Sequence, residues 1–328
     1  MNAVVIGIGA YGISVIEAYE REVKSSKVIA VDTNKTLLNT VSIENKIQLS
    51  KRLSETDTVE RIKGKLKKSV KDSDIVFIVT NPLDLPKPNV IPRIAEFLKS
   101  LNILVLGIVL KPFGKIDRKR KKEINTTIDW ILYTIATVVI PQKVVPQYQE
   151  PNNQFCQWSV SNGYLIDEYV FEQVEFYRWY QKSCLFNADI CKETLVGVFF
   201  LNRILDMLHE EYFNATWNDI CRVISLPGVV HMASAISLKE NGLDTLRYRA
   251  SFNNLLNTSL HGAKALLFVL KVPLCMEKNE VGRICNVIHS FTDESVDSYF
   301  TIEVMQPDSD TISAKVIAIV EYDIAIQK

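Results

Sequence analysis

The chain has 328 residues, of which 47% are hydrophobic and 23% charged, and this composition is that of a globular protein long enough for two domains. Its 38 basic and 38 acidic residues balance, which argues against broad electrostatic capture of nucleic acid or of an acidic membrane. No apolar run reaches membrane-spanning length, no basic signal-peptide region opens the chain, and the six cysteines lack metal-binding spacing. These features predict a soluble, reduced, cytoplasmic protein with mostly buried thiols and no metal site.

Strands and helices alternate through the first 140 residues. Strands are predicted at residues 3–8, 27–31, 46–49, 75–80, 103–110 and 137–140, and helices after the first strand to about residue 22, at 59–70 and at 89–101. Such alternation predicts a doubly wound, mostly parallel sheet with helices on both faces.

The composition changes after residue 141. Ten of the 30 aromatic residues fall between Tyr148 and Tyr180. A long helix is predicted at 189–212, followed by helices at 217–225, 232–240 and 280–290 and by strands at 265–270, 299–305 and 312–322. The second half is therefore predicted to be a smaller α/β domain that follows a long central helix.

Several segments resemble the FtsZ/tubulin family in order and spacing. The strand–turn–helix–strand pattern of residues 74–113 ends in Lys111-Pro112-Phe113, as the family's nucleotide-binding core does. Further matching segments are VIAVDT at 28–33, KIQL at 46–49, FNATWNDI at 213–220 in place of the synergy loop, and LHGAKALL at 260–267. The resemblance implies a nucleotide-type domain at 1–188 with an aromatic-rich insert at about 143–183, a central helix at 189–212 and a C-terminal domain at 213–328.

The first glycine turn supports more than one interpretation. Gly7-Ile8-Gly9-Ala10-Tyr11-Gly12 lies between a strand and a helix, and Asp32 follows at the end of the next strand. This is the dinucleotide fingerprint of an NAD(P)-dependent oxidoreductase. In the FtsZ resemblance the same positions, Gly7, Gly9, Ala10, Tyr11 and Gly12, are those that contact the phosphates of GTP or GDP. A tight strand–helix turn without a ligand is the third interpretation.

The second phosphate loop of the family has lost its glycines. Where the family has GGGTGTG, this chain has the segment 83–89, LDLPKPN. Pro82, Pro86 and Pro88 remove backbone donors, Asp84 adds a negative charge, and Lys87 could offset it. The family's GAGANP loop also has no counterpart at residues 51–58. We therefore expect triphosphate recognition to be abolished or to use heavily rebuilt loops. The cofactor is expected to be GTP or GDP, if there is one at all.

Two positions align with the family's sugar and base contacts. Arg120 lies in a basic run at 115–122, which is more often a solvated helix face. Thr194 aligns with the guanine-reading asparagine, and Asn187 or Asp189 could substitute for it. Base recognition is therefore left open.

The hydrolytic residues are only partly retained. Asn214 and Asp219 match the synergy loop, but Thr216 replaces the first of its two acids. Loss of one water-orienting carboxylate removes general-base assistance worth about 10²–10⁴-fold. Thr216 and Asp219 also form a capping-box pattern, which we favour. The four histidines are predicted to be structural.

The leading hypothesis is a divergent FtsZ-like cytoskeletal protein that assembles with itself or a related protomer, with GTPase activity lost or very weak. The alternatives are an active GTP-hydrolysing filament protein and an NAD(P)-dependent oxidoreductase that uses Gly7–Gly12. The aromatic insert is interpreted as a packed subdomain, a protein-binding surface or a plug for the vacated pocket. No flexible terminal peptide follows the last strand, which argues against the ring-forming role in cell division.

Overall fold

The computed structural model describes residues 1–22, 26–50, 54–85, 88–112, 116–141, 191–208, 216–238, 258–305 and 311–321, with the isolated residues 52, 250, 252–253 and 256. These residues divide into two units. The first takes in the described residues up to 141 together with 191–205, and the second those from 206 onward. The aromatic insert, Asn187, Asp189 and Asn214 lie outside the described residues.

The first unit is built on a six-stranded parallel sheet. Its strands are β1 (Ala3–Ile8), β2 (Lys27–Asp32), β3 (Lys46–Gln48), β4 (Ile75–Thr80), β5 (Leu104–Leu110) and β6 (Ala136–Ile140). They lie in the order β3-β2-β1-β4-β5-β6. All six residues of β4, IVFIVT, are buried, because a central parallel strand is covered on both faces. The continuous apolar runs of the sequence therefore predicted this sheet correctly.

Five helices connect these strands. They are α1 (Gly9–Glu22), α2 (Lys35–Thr40), α3 (Glu55–Ser69), α4 (Val90–Lys99) and α5 (Arg118–Thr134). Because β–α–β crossovers are right-handed, α1 and α2 cover one face of the sheet and α3, α4 and α5 the other. In agreement, α3 packs against α4 and α4 against α5.

The apolar stripe of α4 shows how these helices are held on the sheet. Ile91, Ile94 and Leu98 are buried at helical spacing, together with Val90 and Ala95. Each fully buried Ile or Leu contributes about 1.5–3 kcal/mol of transfer free energy. The sixth helix, α6 (Lys192–Met207), is the described part of the predicted central helix.

The second unit contains a four-stranded mixed sheet. Its strands are β7 (Gly228–Leu238), β10 (Ala263–Pro273), β11 (Thr292–Met305) and β12 (Thr311–Val320), in the order β11-β10-β12-β7. β10 pairs parallel with β11 and antiparallel with β12, which pairs antiparallel with β7. A short hairpin, β8 (Phe252–Asn253) and β9 (Thr258–Ser259), and the helices α7 (Trp217–Ile224) and α8 (Lys278–His289) complete its described elements.

The helix predicted at 232–240 is wrong, because these residues belong largely to strand β7. β7 pairs with β12 in register from Val229–Val320 to Leu238–Thr311. The Met-Ala-Ser-Ala stretch has no strong local preference for a strand. The pairing with a segment some 80 residues later in the chain decides its conformation.

The expectation of mostly buried thiols is also wrong for the described cysteines. Cys191 and Cys275 are exposed, and Cys221 and Cys285 are partly exposed. Among the described residues, no helix combines the length and apolar character needed to cross a bilayer.

Candidate nucleotide-type site

The first turn of the sheet requires its glycines for packing. A Cβ atom added to Gly7 would lie 2.3 Å from the carbonyl oxygen of Gly12. A Cβ atom added to Gly12 would lie 2.2 Å from the carbonyl oxygen of Val79, on neighbouring strand β4. Both distances are far inside van der Waals contact, so the strand and helix can approach this closely only through glycine. The fingerprint pattern in this chain therefore has a structural cause that involves no ligand.

Gly9 places the turn against the end of β4. Its φ of +79° lies in the left-handed region, which side chains rarely adopt. A Cβ atom on Gly9 would lie 2.5 Å from the Cβ atom of Asp84. Asp84 is the last residue of a 3-10 turn, Pro82–Asp84, that follows β4. The turn after β1 and the turn after β4 are thus in direct contact.

The Asp84 carboxylate binds the N-terminus of α1. The Tyr11 backbone N–H donates to Oδ2 of Asp84 across 2.8 Å. Tyr11 is the third residue of α1, and its N–H has no carbonyl partner within the helix. Such N–H groups, together with the helix dipole, form the usual anion site of a strand–turn–helix unit. A side chain of this chain therefore occupies one of the donors that a phosphate would use.

The turn that carries Asp84 is fixed from both sides. The Asn81 side chain caps the turn by accepting the Leu83 N–H across 3.0 Å, and Pro82 is buried as its first residue. The β1–β4 pairing places Ile8 beside Thr80, so the residues after both strands meet. Asp84 and Tyr11 are 73 residues apart in the sequence, so only the fold brings them together.

A second carboxylate lies near this position. Burial raises the pKa of Asp84, the Tyr11 N–H lowers it, and the negative charge of Asp32 raises it further. Asp32 is 8% exposed and accepts the Asn34 backbone N–H across 2.6 Å. Two carboxylates close enough to interact make this position unfavourable for a triphosphate.

The Tyr11 side chain fills the space between α1 and α6. It is 9% exposed, and its hydroxyl donates to the Glu193 carbonyl oxygen across 3.2 Å. Burial raises the pKa of the phenol far above its ordinary value. A Cβ atom on Gly197 of α6 would lie 2.5 Å from the Tyr11 hydroxyl, so that glycine accommodates the ring. Tyr11 therefore links the first turn to the central helix.

Thr194, the aligned base-reading position, lies one residue beyond this contact. It is buried, and its hydroxyl is 3.0 Å from the Cys191 sulfur. The structure thus connects Glu193, the residue before Thr194, to the first turn through Tyr11. Its role in base recognition stays a prediction.

Arg120 is exposed on the first turns of α5. Its backbone N–H donates to the Asp117 side chain, which caps the helix, across 3.0 Å. The residues from Arg118 to Lys122 are all exposed, as predicted for a solvated helix face. A contact between Arg120 and a nucleotide stays a prediction.

Lys111 of the KPF motif lies at the carboxyl end of β5. Its backbone N–H donates to the Ile140 carbonyl across 3.0 Å. Burial lowers the pKa of its ammonium group, while the Asp129 carboxylate raises it. Lys111 therefore links the end of β5 to β6 through its backbone and interacts electrostatically with Asp129 of α5.

The capping box predicted at Thr216 and Asp219 is confirmed. The Asp219 N–H donates to the Thr216 hydroxyl oxygen across 3.3 Å, and Oδ2 of Asp219 accepts from the Thr216 backbone and hydroxyl. The carboxylate that would orient water is thus bonded to its own helix end. Asn214 lies outside the described residues. Within the described residues, no three His, Cys, Asp or Glu side chains gather as metal ligands.

No protein-family model matches the chain. Solved structures do match it over nearly its whole length. An empty FtsZ dimer from M. jannaschii gives a TM-score of 0.59 at 18% identity and covers 97% of this chain and 88% of that one. A GTPγS-bound CetZ2 protofilament from Haloferax volcanii gives 0.63 at 12% identity and covers 99% and 94%. A CetZ from Methanosaeta thermophila gives 0.61 at 11% identity and covers 99% and 88%.

The chain has the FtsZ/tubulin fold. The resemblance inferred from KIQL, KPF and the synergy-loop segment is therefore confirmed, as is the predicted fold class. At these identities the FtsZ/tubulin fold is established, while the chemistry depends on the site itself. The sequence identified Asp84 and Tyr11 as departures from the family pattern. It did not predict their hydrogen bond or the contact of Tyr11 with Glu193, which depend on the packing of three separate elements.

Proposed function

We propose that this chain is a divergent FtsZ/tubulin-like cytoskeletal protein that assembles with its own copies or a related protomer, with GTP binding and hydrolysis lost or strongly weakened. The observation that carries this proposal is the Asp84 carboxylate on the Tyr11 N–H of α1. It supplies an internal anion where a nucleotide phosphate would need a donor.

The electrostatic obstacle to a phosphate is large. Two unit charges about 4 Å apart repel by about 4 kcal/mol at an effective dielectric constant of about 20. Because 1.4 kcal/mol is a tenfold change in affinity, one such repulsion weakens phosphate binding by about 10³-fold. Displacing Asp84 instead would remove its hydrogen bond and leave a partly buried carboxylate to be accommodated elsewhere.

The Tyr11 ring adds a second obstacle. If the base of a nucleotide approached Thr194, the ring would have to leave its place against Glu193 and Gly197. Exposing a buried aromatic ring costs about 1.5–3 kcal/mol, and breaking its hydroxyl hydrogen bond costs about 1 kcal/mol more. Asp84 thus disfavours the phosphates of a nucleotide, and Tyr11 disfavours its base.

Hydrolysis would lack its water-orienting groups. Thr216 replaces one acid, and the Asp219 carboxylate is engaged in the cap of α7. Both features support a protein without significant GTPase activity. The NAD(P) hypothesis meets the same obstacle, because a pyrophosphate would also need the Tyr11 N–H.

Assembly is supported by the retained fold. Two of the similar structures are described as an empty FtsZ dimer and as a CetZ2 protofilament. We extend self-association to this chain as part of the proposal, with a cytoplasmic location and without dependence on GTP.

The test combines cofactor extraction with light scattering. We expect purified protein to release neither guanine nucleotide nor nicotinamide cofactor on denaturation, and to assemble equally with and without GTP. Stoichiometric guanine nucleotide in the extract, or assembly that requires GTP, would support the active-filament alternative instead. Nicotinamide cofactor in the extract would support the oxidoreductase.

A further inference from the structure

The charged residues of the first unit are distributed unequally over the two faces of its sheet. Helices α3, α4 and α5 hold 12 Lys and Arg against six Asp and Glu, a net charge of +6. Helices α1, α2 and α6 hold four Lys and Arg against five Asp and Glu, a net charge of −1. Because α3, α4 and α5 share one face, that face is basic; we name it the α3–α5 face.

The strongest part of this face is the start of α5. Arg118, Lys119, Arg120, Lys121 and Lys122 are consecutive and exposed. Elsewhere on the face Lys63 pairs with Glu60 and Arg93 with Glu96, but among the described residues no ion pair engages the α5 run. Cations in the first turn oppose the helix dipole, so this run does not serve the stability of α5. The two exposed aromatic residues of the same helix, Trp130 and Tyr133, add contact area.

The remainder of the chain carries the complementary charge. Residues 1–141 contain 23 Lys and Arg against 15 Asp and Glu, a net charge of +8. Residues 142–328 contain 15 against 23, a net charge of −8. The zero net charge of the whole chain therefore conceals a strong separation of charge along it. The net negative charge of residues 142–328 on a second copy therefore has the sign that the α3–α5 face attracts.

We infer that the α3–α5 face, centred on Arg118–Lys122, docks the acidic residues of a second copy of this chain. The inference rests on the proposed self-assembly and names the surface and the force that drive it. Opposite charges on two copies attract in a head-to-tail sense, in which different surfaces meet and the contact can repeat. Assembly is then governed by ionic strength, because salt screens exposed charges beyond about 8 Å at physiological concentration.

The test compares charge reversals on the two faces. Arg118→Glu/Lys122→Glu reverses two cations of the α5 run, and Arg21→Glu/Lys35→Glu reverses two exposed cations on the opposite face as a matched control. Sedimentation velocity from about 50 to about 500 mM salt measures assembly of each protein. Circular dichroism confirms that each variant is folded.

We expect wild-type assembly to weaken steeply with salt, and the α5 variant to need at least about a tenfold higher concentration to assemble at low salt. The control variant should assemble as the wild type does. Equal assembly of all three proteins would overturn the inference while leaving the proposed function intact. A wild type that stays monomeric throughout would overturn the proposed function itself. A membrane role would give a different result: the α5 variant would still self-assemble but would no longer sediment with phosphatidylserine vesicles, as the wild type would. That outcome would assign the face to membranes and refute docking of a second copy.

Discussion

Replacing Asp84 by asparagine tests the internal anion directly. The substitution keeps the shape of the side chain and an oxygen that accepts the Tyr11 N–H, but it removes the negative charge. Asp72→Asn is a matched control, because Asp72 is exposed and the same charge is lost away from the first turn. Inorganic tripolyphosphate is the probe, since it presents phosphate charge without a base that would meet the Tyr11 ring.

The expected magnitude follows from the geometry of the turn. A phosphate group that approaches the Tyr11 N–H comes within about 4 Å of the carboxylate, where the repulsion is worth about 4 kcal/mol at an effective dielectric constant of about 20. Asp84→Asn should therefore increase tripolyphosphate affinity by up to about 10³-fold, as measured by calorimetric titration. Asp72→Asn should leave it unchanged.

The pH dependence of the unfolding free energy is an independent measure of the Asp84 charge. The folded pKa of Asp84 is raised mainly by burial, so the ionised carboxylate is less favourable in the fold than in the unfolded chain. For a carboxyl group with a raised pKa, stability is lost as the pH rises through the folded pKa and regained as it falls. Asp84→Asn should therefore be at least as stable as the wild type at pH 8, and this advantage should shrink toward pH 4.

Two results would refute this reasoning. If Asp84→Asn binds tripolyphosphate no better than Asp72→Asn does, the carboxylate is not the obstacle to a phosphate. If Asp84→Asn lowers the free energy of unfolding at pH 8 by more than about 1 kcal/mol, the charge is instead held there as a net stabilising helix cap.

Four further substitutions test the fold and the second unit. Gly12→Ala should cost at least about 1–3 kcal/mol of unfolding free energy in chemical denaturation, because its Cβ would meet a backbone carbonyl at 2.2 Å. Gly64→Ala, in the exposed interior of α3 with no atom within 4 Å, should stabilise by about 0.5–1 kcal/mol, and equal effects would contradict the assigned packing. Burial lowers the pKa of His231 to about 4 from 6.5, so the unfolded chain takes up the proton first, and the unfolding free energy should fall below pH 6.5, by about 1.4 kcal/mol at pH 5.5. A His231→Asn variant should lack this fall, and a pH profile like that of the wild type would refute the assignment. Thr216→Ala should cost about 1 kcal/mol of unfolding free energy, and wild type and variant alike should show no significant GTP turnover. Turnover in the wild type that the variant lacks would show that the synergy-loop segment is catalytic.

The sequence predicted the first sheet well because its strands are decided locally. Apart from Thr80, IVFIVT in β4 and LVLGIVL in β5 are apolar runs without alternation, as expected of strands that are covered on both faces. β7 could not be predicted in this way, since its Met-Ala-Ser-Ala stretch has no strong preference and its partner β12 lies far along the chain. The buried His231 also depends on distant residues. Its ring nitrogens contact the Thr258 hydroxyl at 3.0 Å and the Ala250 carbonyl at 3.1 Å.

In the candidate site, too, some features could be predicted from the sequence and others depend on the fold. The loss of glycines, the prolines and the Asp84 charge are visible in the sequence and predict weak phosphate binding. The hydrogen bond from Tyr11 to Asp84 depends on the pairing of β1 with β4, and the bond from Tyr11 to Glu193 depends on where α6 packs. Local patterns therefore predicted the loss of the phosphate loop, and tertiary packing decided which groups Asp84 and Tyr11 contact.

The most direct test of the account is a calorimetric titration of the wild-type protein with GTP and Mg²⁺. We predict no binding heat at GTP concentrations up to about 1 mM, since the obstacles at Asp84 and Tyr11 together exceed the roughly 4 kcal/mol that separates millimolar from micromolar affinity. A micromolar dissociation constant with one GTP per chain would contradict it, because Tyr11 and Asp84 would then have to yield their places to the nucleotide.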